Sequence, residues 1–102
     1  MTNRFYIAGF KFHGGVIKAT KGKLLKDDLV QLKPDPDNPY DENAIEVYHN
    51  GDMIGFVPKA INQEVLPNLD NLTAYVSRVD IDAALEEPWK AVQITLESEE
   101  AA

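Results

Sequence analysis

From Arg4 to His13 the chain reads RFYIAGFKFH, with Phe5, Ile7, Gly9 and Lys11 in one alternation and Tyr6, Ala8, Phe10 and Phe12 in the other. Apolar side chains on both faces suit a strand buried in a closed or covered sheet. Gly14-Gly15 breaks that strand, and Val16 to Lys26 lacks a clear period, which predicts a lysine-rich loop with at most a short helical turn. Asp28 to Lys33, DLVQLK, predicts a second strand, stopped by Pro34-Asp35-Pro36-Asp37-Asn38-Pro39 because proline cannot donate to a ladder. A rigid loop must follow. Asn43 to His49, NAIEVYH, alternates again, and Asn50-Gly51 is a type I′ hairpin signal before Met53 to Val57, so these two strands should pair antiparallel.

Between Pro58 and Asp70 the apolar residues Ala60, Ile61, Val65, Leu66 and Leu69 are spaced as one face of a short helix, with Pro58 at its start and Pro67 ending or distorting it. Asn71 to Ile81 and Trp89 to Glu97 read as strands, the second with Val92, Ile94 and Leu96 inward against Gln93, Thr95 and Glu97 outward. The link Asp82 to Pro88 has room for one helical turn. The expected fold is mainly β: a small OB-like or SH3-like curled sheet or barrel of five to six strands with one or two short helices. Residues 1–98 form a single domain in this reading, and residues 99–102 an acidic tail.

The 102 residues suffice for one core that removes roughly two-thirds of the chain's surface from water. Cysteine is absent, which excludes disulfides, thiol nucleophiles and Cys-based zinc sites and points to a reducing compartment. The opening residues carry no apolar signal region, and no apolar run approaches the ~20 residues of a membrane span, so a cytoplasmic location is expected. The net charge of −7 argues against binding long duplex, yet it is unevenly spread. Up to Lys33 seven bases face two acids, a balance of +5, which leaves −12 on the remainder. One basic edge can therefore still accept a few phosphates.

Catalytic chemistry has little to draw on. The only serines are Ser77, in a predicted strand, and Ser98, in the tail. His13 and His49 are far apart and outside any HExxH spacing. The run from Asp35 to Asn43 imitates a calcium loop, with Glu46 in the twelfth place. However, Pro39 and Tyr40 stand where a ligand and a sharp-turn glycine are needed, and a strand follows instead of a helix. No metal or cofactor is expected. A better reading is that Pro36 and Pro39 stiffen the loop and Asn38 and Asp41 bond local amides as Asx turns, so that the Tyr40 ring has little entropy to lose on binding. The plainer alternative is that Asn38, Asp41 and Asn43 merely hold the loop together. In FKFHGG, Phe10 and Phe12 with Lys11 and His13 combine aromatic faces and a cation, the mixture that stacks bases and holds phosphate. If the phenylalanines face the core, Lys11 and His13 face the ligand.

Three segments, Gly9 to Gly15 (GFKFHGG), Asp35 to Val47 (DPDNPYDENAIEV) and Ile54 to Lys59 (IGFVPK), resemble in order and spacing the HIRAN domain. The resemblance covers about residues 4 to 80. That family occurs at the N-terminus of certain Swi/Snf-type DNA-remodelling ATPases and as a free-standing bacterial or phage protein, the form this chain resembles. The resemblance implies an OB-like barrel that captures the 3′ end of single-stranded DNA. By it, Lys11 stands where a remodelling enzyme has a DNA-contacting arginine, and Phe12 where it has a tyrosine packed on the terminal nucleotide. Tyr40 and Asp41 match directly, implying that Tyr40 stacks on a base and Asp41 accepts a hydrogen bond from the 3′-hydroxyl; a 3′-phosphate would be repelled. Asn38 matches as well, and Lys59 as a phosphate contact. Phe12 lacks the hydroxyl, Asp37 replaces a neutral asparagine, and Phe56 stands in place of a histidine; these departures should weaken binding or change which end is read.

The expected function is thus a non-catalytic module for the 3′-hydroxyl end of single-stranded DNA in repair or replication-fork processing. Its partner would be a helicase, nuclease or other repair protein supplied in trans. The alternative is a protein-interaction module using the acidic surface. A nuclease would need Asp35, Asp37 and Asp41 to gather around a metal.

Overall fold

Asn50 and Gly51 sit at φ of 50° and 85°, the left-handed pair that a type I′ turn requires, and they join β3 (Ile45–His49) to β4 (Asp52–Phe56) as the sequence predicts. The computed structural model describes residues 3–9, 22–87 and 90–98. Within them lie β1 (Arg4–Tyr6), β2 (Leu29–Pro34), the hairpin, α1 (Lys59–Val65), β5 (Leu72–Val79), α2 (Ile81–Glu86) and β6 (Val92–Ser98). A 3-10 segment, Leu66–Asn71, follows α1 directly. The strands form one antiparallel sheet in the order β1-β6-β5-β2-β3-β4. This six-stranded curled sheet with two short helices fits the mainly β fold expected from the pattern, a curled sheet or barrel of five to six strands with one or two short helices.

Curling brings the two outer strands together. Ala8, just past β1, bridges Phe56 at the end of β4 through two backbone hydrogen bonds of 2.9 Å, Ala8 N–H to Phe56 C=O and the reverse. Register shifts between Val47 and Tyr48 and between Val76 and Arg78 supply local bends, since a bulge increases a strand's twist. At the second, Ser77 Oγ donates to the Gln93 carbonyl at 3.2 Å. Inside lie Phe5, Ile7, Val30, Ile45, Val47, Ile54, Val76, Val92, Ile94 and Leu96, with Val65 contributed by α1. Each fully buried aliphatic of this size contributes about 1.5–3 kcal/mol.

Several expectations need correction. Tyr6 is exposed, so β1 is covered on one face, where Phe5 and Ile7 point. The proline run does end β2, one residue later than expected: Pro34 is the last residue of the strand, paired with Ile45, and Asp35 N–H still donates to Ala44 C=O at 2.8 Å. The helix does end ahead of Pro67, as expected, and Pro67 stands in the first turn of the 3-10 segment. Ala60 is exposed, and it is Asn62 that α1 buries beside Val65. Ile81 is not in β5: Asp80 accepts a hydrogen bond from Ala83 N–H at 3.0 Å and caps α2, leaving Ile81 half exposed. Leu24, in the stretch without a period, is buried in the core. His49 is buried too, with Nε2 2.8 Å from Asp28 Oδ2, which fastens the end of β3 to the chain entering β2. Among the described residues no helix is long and apolar enough to cross a membrane.

Candidate nucleic-acid interface

Between β2 and β3 the proline-rich loop is built almost wholly from local bonds. Asn38 N–H donates to Asp35 C=O at 3.1 Å, and Ala44 N–H to Asp41 C=O at 3.1 Å. Asn38 Oδ1 accepts from the N–H groups of Tyr40 and Asp41 at 2.9 and 3.1 Å, while its Nδ2 donates to Asp35 Oδ2 at 3.2 Å. Asp41 Oδ1 accepts from Asn43 N–H at 2.9 Å. Both predicted Asx turns are present. They hold the backbone on either side of Tyr40, whose side chain is 91% exposed. A ring presented on a backbone already fixed gives up little freedom on stacking against a flat ligand.

Beside this loop lies an open groove of about 520 Å3 lined by Ala8, Asn38, Pro39, Tyr40, Asp41, Ala44, Phe56, Val57, Lys59 and Asn62. Closure of the sheet makes one wall, since Ala8 and Phe56 are the bridging pair. The turn into α1 makes another: Val57 N–H donates to Ile45 C=O at 2.9 Å, and the N–H groups of Ile61 and Asn62 donate to Pro58 C=O at 3.0 and 3.1 Å. Lys59 is thereby set exposed at the rim and Asn62 beneath it, the latter donating through Nδ2 to Asp41 Oδ2 at 2.8 Å. The lining is thus apolar surface and an exposed aromatic ring beside one carboxylate, one ammonium and side-chain amides.

The Asn43 N–H first, then the Asn62 amide and the nearby Lys59 charge, hold the Asp41 carboxyl below its ordinary value of 3.8 against the opposing effect of desolvation. A carboxylate is an acceptor only, with about four lone-pair directions. Two are taken by Asn43 and Asn62, which leaves acceptor capacity on a group that stays charged at neutral pH.

Of the site residues expected from sequence, Asn38, Tyr40, Asp41, Phe56 and Lys59 line one groove. Lys11, Phe12 and His13 lie outside the described residues. Asp37 is not part of the lining. Asp35, Asp37 and Asp41 do not converge: among the described residues no three acids or histidines gather as metal ligands would. Ala8, Ala44, Val57 and Asn62 were not expected. Only Asn62 left a signal, a polar residue three positions before Val65 on the inward face of a short helix.

A family model described as the HIRAN domain matches residues 2–100. Helicase-like transcription factor from Mus musculus is 33% identical over 79 residues, and that from Homo sapiens 31% over 77. Those stretches are 76% and 74% of this chain but only 7% of either relative's length. A crystal structure of a protein from Lactobacillus plantarum matches with a TM-score of 0.72 at 19% identity, covering 93% of this chain and 89% of that one. The crystal structure of the HIRAN domain of the human helicase-like factor matches with a TM-score of 0.65 at 24% identity, covering 95% and 75%. At those identities the two structures speak for the fold, and the family match runs through every described strand. The chain belongs to the HIRAN domain family.

Proposed function

We propose that this chain is a DNA-binding module that captures the 3′-hydroxyl end of single-stranded DNA in the groove between the proline-rich loop and α1. HIRAN domains are DNA-binding modules, and membership of that family supports the coarse reading. The observation that carries the finer one is the pairing of Tyr40, a fully presented ring on a fixed backbone, with the adjacent carboxylate of Asp41. Tyr40 stacks on a base near the end, and the spare acceptor capacity of Asp41 takes the terminal hydroxyl. Lys59 lies close enough to hold an adjacent phosphate. Phe56 adds apolar surface to the groove, and Lys11, Phe12 and His13 are the further contacts in this reading. In this reading the module is non-catalytic, and it serves a helicase, nuclease or other repair protein in trans at damaged or stalled DNA.

Stacking contributes about 1–3 kcal/mol per base, to which one hydroxyl bond and a few phosphate contacts add. A carboxylate selects against a terminal phosphate because two anions at hydrogen-bond range repel. The experiment is fluorescence anisotropy of a 5′-labelled oligonucleotide ending in a 3′-hydroxyl against the same strand ending in a 3′-phosphate, from low to rising salt. A hydroxyl preference that Asp41→Ala removes is the expected result. Equal affinity for both ends, or a preference that survives Asp41→Ala, refutes end capture.

A further inference from the structure

Buried side-chain polar atoms in folded proteins almost always have at least one hydrogen-bond partner, and among the described residues the Oδ1 of Asn62 has none. It is 1% exposed on α1, on the inward face with Val65, where an apolar residue would serve the core. Its Nδ2 donates to Asp41 Oδ2 at 2.8 Å, yet its buried Oδ1 has no partner among the described residues. Turning the amide over would not help, because it would set Oδ1 against the carboxylate. For the fold alone this is a poor choice: an unmade bond of a buried acceptor costs about 1–3 kcal/mol, and an apolar side chain of similar shape would not incur it. What the asparagine gains is the single bond to Asp41.

That bond has a second half. Asp41 Oδ1 is already held by Asn43 N–H, so Asn62 supplies the donor that fastens the other oxygen. One donor on one oxygen leaves the carboxylate free to swing, whereas donors on both fix its plane. We propose that Asn62 is the positioning residue of the groove, locking the Asp41 carboxylate in the orientation in which its remaining lone pairs meet a ligand hydroxyl. This rests on the reading of the groove as a 3′-hydroxyl site and names the residue on which its selectivity depends. The same bond helps to keep Asp41 ionised, after the larger effect of Asn43 N–H.

The test uses the full chain with Asn62→Leu and Asn62→Asp, and Asn62→Ala should the leucine's extra volume cost the fold. Three quantities are read: the melting temperature, the Asp41 carboxyl titration by 13C NMR without ligand, and anisotropy with hydroxyl- and phosphate-ended oligonucleotides. Asn62→Leu is expected to melt no lower than wild type, to raise the Asp41 midpoint, and to weaken hydroxyl-end binding about 3- to 10-fold, the cost of ordering one side chain. Phosphate-end affinity should not change. Asn62→Asp puts a second carboxyl beside the first, so the pair shares a proton, and the hydroxyl preference should return only on the acid side, where the protonated partner donates to Asp41. An unmoved Asp41 midpoint overturns the proposal. So does a full hydroxyl preference in Asn62→Leu when Asp41→Ala has lost it. If wild type itself shows no end preference while the midpoint still rises, the hold of Asn62 on the carboxylate stands and it is the ligand reading that falls.

Discussion

Gly55 is the point where closure of the sheet, and with it the groove, depends on the absence of a side chain. It lies in β4 at φ 149°, a conformation that L residues rarely adopt, next to the bridging Phe56. A Cβ at this position would stand 2.5 Å from the Ala8 carbonyl oxygen and against Ile7 Cγ2. Neither neighbour can give way easily. The Ala8 carbonyl accepts the Phe56 N–H at 2.9 Å, and Ile7 is core. A sparsely populated backbone conformation costs about 1–3 kcal/mol, and overpacking against fixed neighbours about 1–3 kcal/mol more. Gly55→Ala should therefore destabilise by about 2–6 kcal/mol. Gly51 provides the control: its φ is 85° but a Cβ there meets nothing within 4 Å, so Gly51→Ala should lose only the left-handed term of about 1–2 kcal/mol. Urea denaturation and thermal melting of the two variants separate strain from collision. The central values differ by about 2.5 kcal/mol, and with about 4–8 °C per kcal/mol for a domain of this size Gly55→Ala should melt roughly 10–20 °C below Gly51→Ala. It should also lose DNA binding, because Ala8 and Phe56 line the groove. Equal losses in the two variants would refute the claim that the closure cannot yield.

Tyr40→Ala should leave stability within about 0.5 kcal/mol, because the ring is almost wholly exposed, and should weaken oligonucleotide binding about 5- to 150-fold, the value of one stacked base; anisotropy and melting of the same sample decide. Asn38→Ala removes two bonds to the backbone and one to Asp35, so it should cost about 1–2 kcal/mol in urea and also weaken binding by loosening Tyr40 and Asp41. The Asp41 carboxyl lies below its ordinary value in the folded chain, so its contribution to stability is complete above pH 3.8 and is lost as pH falls through the lowered folded value. Urea midpoints of wild type and Asp41→Asn should accordingly differ at pH 7 and converge near pH 2; a gap that widens towards acid would contradict that sign.

Features fixed by neighbours along the chain were legible before any coordinates. Asn50-Gly51 announces its turn because only left-handed residues satisfy it, and Asn38 and Asp41 announce Asx turns because their partners lie two and three residues ahead. Features settled by distant partners were not. Leu24 is buried although no period marks it, because it joins a core cluster made of residues distant along the chain. Asn62 shares the inward face with Val65 by its spacing, but why a polar residue stands there shows only in its bond to Asp41, 21 residues away. The bridge from Ala8 to Phe56 spans half the chain, and Gly55 gives it away only once the close approach is known. For the site, the loop half was legible in the run from Asn38 to Asn43, whereas the wall built from Ala8, Ala44 and Val57 depends on how the sheet curls.

The central claim, that a DNA end occupies the groove beside Tyr40 and Asp41, is tested most directly by amide chemical-shift mapping of the 15N-labelled chain titrated with a short 3′-hydroxyl oligonucleotide. The account predicts shifts concentrated at Asn38 to Asn43, Ala44, Phe56 and Lys59, with the Asn62 side-chain NH2 moving in step and the 3′-phosphate strand producing far smaller changes. Shifts confined to the separate depression around Leu25, Arg78 and Ile81, or identical responses to the two strands, would contradict it.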